Sequence, residues 1–157
     1  PLLPGVALLL WGLASGAADA VATTPGWWAL LALNLSASAV VILAYSVLWG
    51  SLAFWAPRAA EEISTSALRL VNQLKPFPLD GIGPGLLAGL LTALPVGFVA
   101  WFPCRALLGL DPLPIAAALT PLAALIIGGL AALAFTRGLR HYAFTGASRY
   151  LDFGHRR

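Results

Sequence analysis

From Ala20 to Pro57 the chain carries no formal charge, and most of Trp27 to Trp55 within it is apolar. A stretch of that length and character has few places to go in a folded protein. At about 1.5 Å of rise per residue, roughly 20 apolar residues in a helix match the hydrocarbon thickness of a bilayer. Further apolar runs lie at about 2–21, 84–108 and 112–135. Of the 157 residues, 60% are hydrophobic and 10% charged, with a mean hydropathy of +0.88. A soluble domain carries about 25% charged residues, so this chain lacks the polar surface to stand in water. Closed strands also satisfy the backbone in lipid, but they alternate apolar with polar residues and these runs do not. The expected fold is an all-α integral membrane protein, a bundle of about four transmembrane helices over 2–21, 27–55, 84–108 and 112–135.

The segment between the second and third runs reads differently. Pro57 suits a helix start, Glu61 and Glu62 suit its positive end, and Lys75-Pro76 closes it. Ile63, Ala67, Leu70, Val71 and Leu74 share one face, with Glu62, Ser66, Arg69 and Gln73 opposite. That spacing predicts an amphipathic interfacial helix over about 58–75. Trp27, Trp28, Trp49 and Trp55 stand where aromatic belts form, and Thr23-Thr24-Pro25-Gly26 reads as a tight turn.

Basic residues set the expected orientation. Arg58, Arg69 and Lys75 follow the second run, and Arg137, Arg140, Arg149, Arg156 and Arg157 lie in a tail over 137–157. The opposite connections hold only Arg105. With four spans both basic segments share one side, which the positive-inside rule makes the cytoplasm. If the third run did not span, the amphipathic segment and the tail would face opposite compartments. The net charge of +3 and pI near 9.6 come from these flanks and do not indicate a nucleic-acid partner. Cys104 is the single cysteine, which excludes an internal disulfide or a cysteine-rich metal site. The chain starts at Pro1 with no methionine and no basic leader, so a missing N-terminal part is expected.

Several phrases occur in a specific order. Leu52-Ala53-Phe54-Trp55 ends a span, and Lys75-Pro76-Phe77-Pro78-Leu79 follows the amphipathic segment. Leu94-Pro95-Val96-Gly97-Phe98-Val99-Ala100-Trp101-Phe102-Pro103 leads into Arg105-Ala106-Leu107-Leu108-Gly109, and Arg137-Gly138-Leu139-Arg140-His141-Tyr142 begins the tail. In these features the stretch from about Leu48 to Tyr150 resembles the C-terminal half of permease subunits of type-2 ABC transporters, mainly bacterial exporters. The resemblance implies the last four spans of a six-span permease in a bacterial cytoplasmic membrane, with its C-terminus in the cytoplasm. It implies a second permease subunit, identical or not, and separate cytoplasmic nucleotide-binding ATPase subunits that hold ATP and Mg. No Gly-x-x-x-x-Gly-Lys-Ser/Thr phosphate loop occurs here, as suits a permease that binds no cofactor itself.

Asn34, Ser38 and Tyr45 share one face of the second run and are the candidates for a substrate path. Their plainer role is interhelical hydrogen bonding. Asn34-Leu35-Ser36 spells a glycosylation sequon inside a span, where no transferase reaches. Gly81, Gly85 and Gly89, like Ala124, Gly128 and Ala132, recur every four residues and suit close helix packing or a dimer seam. Pro95 and Pro103 imply either a re-entrant segment or a kink and a helix end. Arg105 is read as a snorkelling interfacial residue, with attraction of an anionic headgroup as the sharper alternative. Asp152-Phe153-Gly154 lacks the other kinase motifs. His141 and His155 lack metal-ligand spacing, and Asp19 reads as interfacial. The function expected is a transport permease and not an enzyme. The alternatives are a membrane-embedded enzyme acting on lipids, which would need clustered reactive side chains near one membrane face, and a small structural or assembly protein.

Overall fold

The computed structural model describes residues 24–76 and 79–152, with backbone alone over 145–152, together with Ala7, Trp11 and Ala14. Apart from those three residues, the expected span at 2–21 with Asp19 lies outside the described residues. So do Phe77, Pro78, Phe153, Gly154, His155, Arg156, Arg157 and the side chain of Arg149.

Helix α1, Pro25–Gly50, starts where Thr24 Oγ1 accepts from the Trp27 N–H at 3.3 Å and Pro25 occupies the first turn. It runs into a 3-10 turn, Ser51–Phe54. Helix α2 covers Pro57–Leu74, α3 Pro84–Thr92, a π-helical turn Gly97–Trp101, α4 Phe102–Leu107 and α5 Leu113–Asp152. The described residues contain no strand.

The core is the seam between α1 and α5. Ala37, Val41 and Ala124 are buried there, and Phe98, Val99 and Ile127 pack on them. The outward faces stay apolar: Leu35, Leu43 and Leu125 are 66%, 66% and 75% exposed. An apolar exterior on helices of this length suits lipid. Both α1 with its 3-10 turn and the 113–144 part of α5 are long and apolar enough to cross a membrane.

These two helices run in the same direction. Asn34 meets Ala116, Val41 meets Ala124, and Phe54 meets Phe135. The chain between them must therefore travel back from the Phe54 end to the Trp27 end. Ala67 and Val71 of α2 pack on Tyr45 and Val96, and beyond α2 Asp80 lies 3.0 Å from Arg105. Much of the return is thus made before α3 begins.

The single span expected at 84–108 is instead two helical pieces that meet at 82° across Ala93-Leu94-Pro95-Val96. Pro95 has no N–H and drives the preceding residue out of the helical region, so the helix cannot pass through. Asp80, just before this pair, touches Arg105 near its end, as in a hairpin that enters and leaves on one side. Pro103 does not end a helix; it sits in the first turn of α4. The expected end of the fourth run near 135 is also passed, because α5 continues unbroken through the basic-aromatic phrase.

The glycine stripe has no packing partner within the described chain. Gly85 and Gly89 have no atom within 4 Å of where a Cβ would stand, and Gly81 is a turn residue at φ +82. Ala124 of the second stripe is buried against α1.

Candidate functional site

Four side chains of α1, Trp27, Asn34, Ser38 and Tyr45, each reach a backbone carbonyl of another segment. Asn34, fully buried, donates through Nδ2 to Leu30 O at 3.1 Å and to Ala116 O of α5 at 3.3 Å. Ser38 Oγ is 2.8 Å from Asn34 O and 3.2 Å from Phe98 O, which share its proton. Tyr45 OH donates to Ala93 O at 3.0 Å, and Trp27 Nε1 to Leu107 O at 3.0 Å.

The acceptors on the hairpin are carbonyls that its own backbone leaves open. The π-helical turn pairs the Phe102 N–H with Gly97 O. The next bond in that register would need an N–H from residue 103, which is proline. Phe98 O is therefore orphaned, and the Ser38 hydroxyl supplies its donor. Ala93 O stands at the break before Pro95, and Leu107 O ends α4. In lipid such groups must find partners inside the protein, and α1 provides them. Asn34 Oδ1 accepts from no group among the described residues. Asn34, Ser38 and Tyr45 thus make the inter-segment hydrogen bonds that the plainer of their two expected roles requires.

A charged cluster stands near the Trp27 end. Arg105 grips Asp111 through Nε at 3.1 and 3.3 Å and through NH2 at 2.9 Å, and reaches Asp80 through NH1 at 3.0 Å. Trp101 lies under the guanidinium at 4.9 Å, and its Nε1 donates to Asp80 Oδ2 at 3.0 Å. Arg105 is thus not a free cation for a headgroup, because two carboxylates neutralise it. Sequence reasoning missed the pairing. The signal was that Asp80 and Asp111 are the only acidic residues between Glu62 and Asp152.

At the other end the two motif phrases pack together. Phe54 lies edge-on to Phe135 at 5.4 Å and near Tyr142 at 6.2 Å, while Trp55 stacks on His141 at 5.9 Å. Gly138 is required there, since a Cβ would strike the Cδ2, Cγ and Cβ atoms of Phe54.

Two of the concave surfaces among the described residues lie beside the elements above. An apolar groove of about 650 Å³ opens between Trp27, Leu30, Leu33, Leu107, Leu113 and Ala117. A polar one follows α2 along Arg58, Glu61, Glu62, Thr65, Ser66 and Arg69, all exposed or half-buried and turned away from the bundle. Among the described residues no group of His, Cys, Asp or Glu could hold a metal ion.

An all-helical bundle with apolar walls and a proline-broken pair of helices between two long apolar helices defines an all-α integral membrane protein. The chain belongs to the ABC-2 family of transporter proteins, whose family model matches residues 1–146. No curated protein and no solved structure matches it. It is a multi-pass membrane permease of that family.

Proposed function

We propose that the protein is the membrane-spanning subunit of an exporter, working with a second permease subunit and with cytoplasmic ATPase subunits that bind and hydrolyse ATP with Mg. Family membership supports the ATPase partnership. The exposed Arg58, Arg137 and Arg140 share the Phe54 end, which supports a cytoplasmic position for that end and for the C-terminus in a bacterial cytoplasmic membrane.

One observation carries the reading of the path. Helix α2 buries Ala60, Ala67 and Val71 in its own bundle and turns Arg58, Glu62, Thr65 and Arg69 the opposite way. Its 18 residues reach about 27 Å, and the chain that includes it passes from the Phe54 end toward the Trp27 end. A charged face on a helix that crosses lipid must look onto water or protein. On this reading α2 is a wall of the translocation path, not a helix lying in the membrane plane. Asn34, Ser38 and Tyr45 stand behind it and hold the hairpin.

The test is thiol labelling in vesicles of the full-length permease with its ATPase partners, with Cys104 replaced by Ser. Cysteines at Glu62, Ser66 and Arg69 should react with a membrane-impermeant thiol reagent. The labelled protein should lose ATP-driven turnover. Cysteines at Leu35 and Leu43 should stay unreactive. An equally unreactive set on α2 would remove α2 from the path, and a permease that never associates with an ATPase subunit would end the exporter reading.

A further inference from the structure

We propose that Arg105 is the fixed post of a latch at the Trp27 end, and that Asp80 is its releasable arm. Asp111 stays on the post. The Asp80 contact sets how readily the first arm of the hairpin, the loop over 79–83 with α3, swings away from the second. What the swing serves rests on the permease reading above; the swing itself does not.

The two carboxylates are held unequally. Asp111 takes three N–H···O approaches from Arg105, between 2.9 and 3.3 Å, with its side chain 18% exposed. It lies six residues along the chain, across a turn closed by the Leu110 N–H on Arg105 O at 3.0 Å and by Gly109 at φ +67. Post and partner are therefore one local unit. Asp80 comes from the far side of the hairpin, takes a single guanidinium contact and one from Trp101 Nε1, and is 61% exposed. A pair that open to water is weak and easily exchanged.

Besides Asp80, apolar contact holds the first arm at its two ends, where the buried Leu79 and the half-buried Leu91 lie against Gly97 of the second. Helix α3 has no buried residue, and a Cβ at Gly83, Gly85 or Gly89 would meet nothing within 4 Å. Its polar ties among the described residues to the rest of the bundle are at its ends, by Asp80 to the post and to Trp101 Nε1, and by Ala93 O to the Tyr45 hydroxyl. The second arm is anchored along its length by Ser38 and Trp27. One weak polar tie on an arm whose helix buries no residue, beside one strong tie on a packed arm, is how a latch is arranged.

The experiment is hydrogen exchange on the full-length permease in lipid nanodiscs, without ATPase subunits. Asp80→Asn should speed exchange over 79–92 about two- to fivefold, the range that an exposed ion pair can shift a two-state equilibrium. Exchange over 97–107 and over α1 should stay at the wild-type rate. Asp111→Asn should instead speed exchange over 102–112. Exchange over 79–92 that is unchanged in Asp80→Asn, or the same in both variants, overturns the latch. A second arm uses the ATPase-bound complex with Cys104→Ser, Asp80→Cys and Asp111→Cys, joined by a short reducible cross-linker that leaves Arg105 in place. Linked protein should lose at least tenfold in ATP-driven turnover and regain it on reduction. Full turnover while linked also overturns the proposal. Wild-type protein with no ATP-driven turnover would sink the permease reading instead, and the exchange result alone would then decide the latch.

Discussion

Replacing Ser38 with Ala removes the side-chain donor to Phe98 O. The other acceptor of that hydroxyl, Asn34 O, keeps its place in the α1 backbone ladder and loses little. Phe98 O has no such reserve, because the π-helical register assigns it to Pro103. A buried carbonyl left without a donor costs about 1–3 kcal/mol, and polar pairs between membrane helices measure about 0.6 and at most about 1.7 kcal/mol. The expected loss is about 1–2 kcal/mol, or about 2–6 °C in the thermal midpoint of the purified protein. Ser46 is the internal control. It bonds Ile42 O within its own helix from an exposed position, so Ser46→Ala should stay within about 0.5 kcal/mol. Pro103→Ala supplies the other half of a double-mutant cycle. It restores an N–H that can serve the hairpin, so Ser38→Ala on that background should cost about half as much or less. Equal losses on both backgrounds would refute the orphaned-carbonyl account.

Three further substitutions test the packing. Gly138→Ala drives a Cβ against Phe54 Cγ and Cβ, atoms that turning the ring cannot move away, and should cost about 1–3 kcal/mol by chemical denaturation, with partial rescue by Phe54→Ala. Gly97→Ala meets the flexible end of Leu91 first, with Leu79 and Phe102 just behind at 3.1 and 3.3 Å. It should therefore cost less than Gly138→Ala in the same assay. Tyr45→Phe removes the donor to Ala93 O and should cost about 0.6–1.7 kcal/mol, with faster hydrogen exchange confined to the segment around Ala93.

Charge-free length made α1 legible in the sequence, and the apolar run from 112 did the same for the start of α5, because hydropathy is summed over many residues. The amphipathic pattern of α2 was equally legible, down to Ala67 and Val71 on its buried face. Its path was not. Amphipathicity shows that a helix divides two media and leaves open whether the polar medium is bulk water or the inside of a pathway. The apolar run over 84–108 misled because composition is indifferent to direction: a hairpin and a span are equally greasy. Pro95 marked the place of the break, but the 82° turn depends on Tyr45 and Ser38 meeting carbonyls far away in sequence. The Asp80–Arg105–Asp111 cluster was hidden for the same reason, since only the folded hairpin brings residue 80 beside residue 105.

The shared direction of α1 and α5 limits how this chain can be shortened. From Pro25 to Phe54 there are 30 residues, about 45 Å of helix. A link that preserved both orientations would need roughly 13 extended residues merely to climb back. Any briefer splice of Phe54 to Leu113 would turn the last helix upside down and carry Arg137 and Arg140 to the opposite compartment. Everything between the two long helices is thus the return stroke that lets both basic ends face the same way.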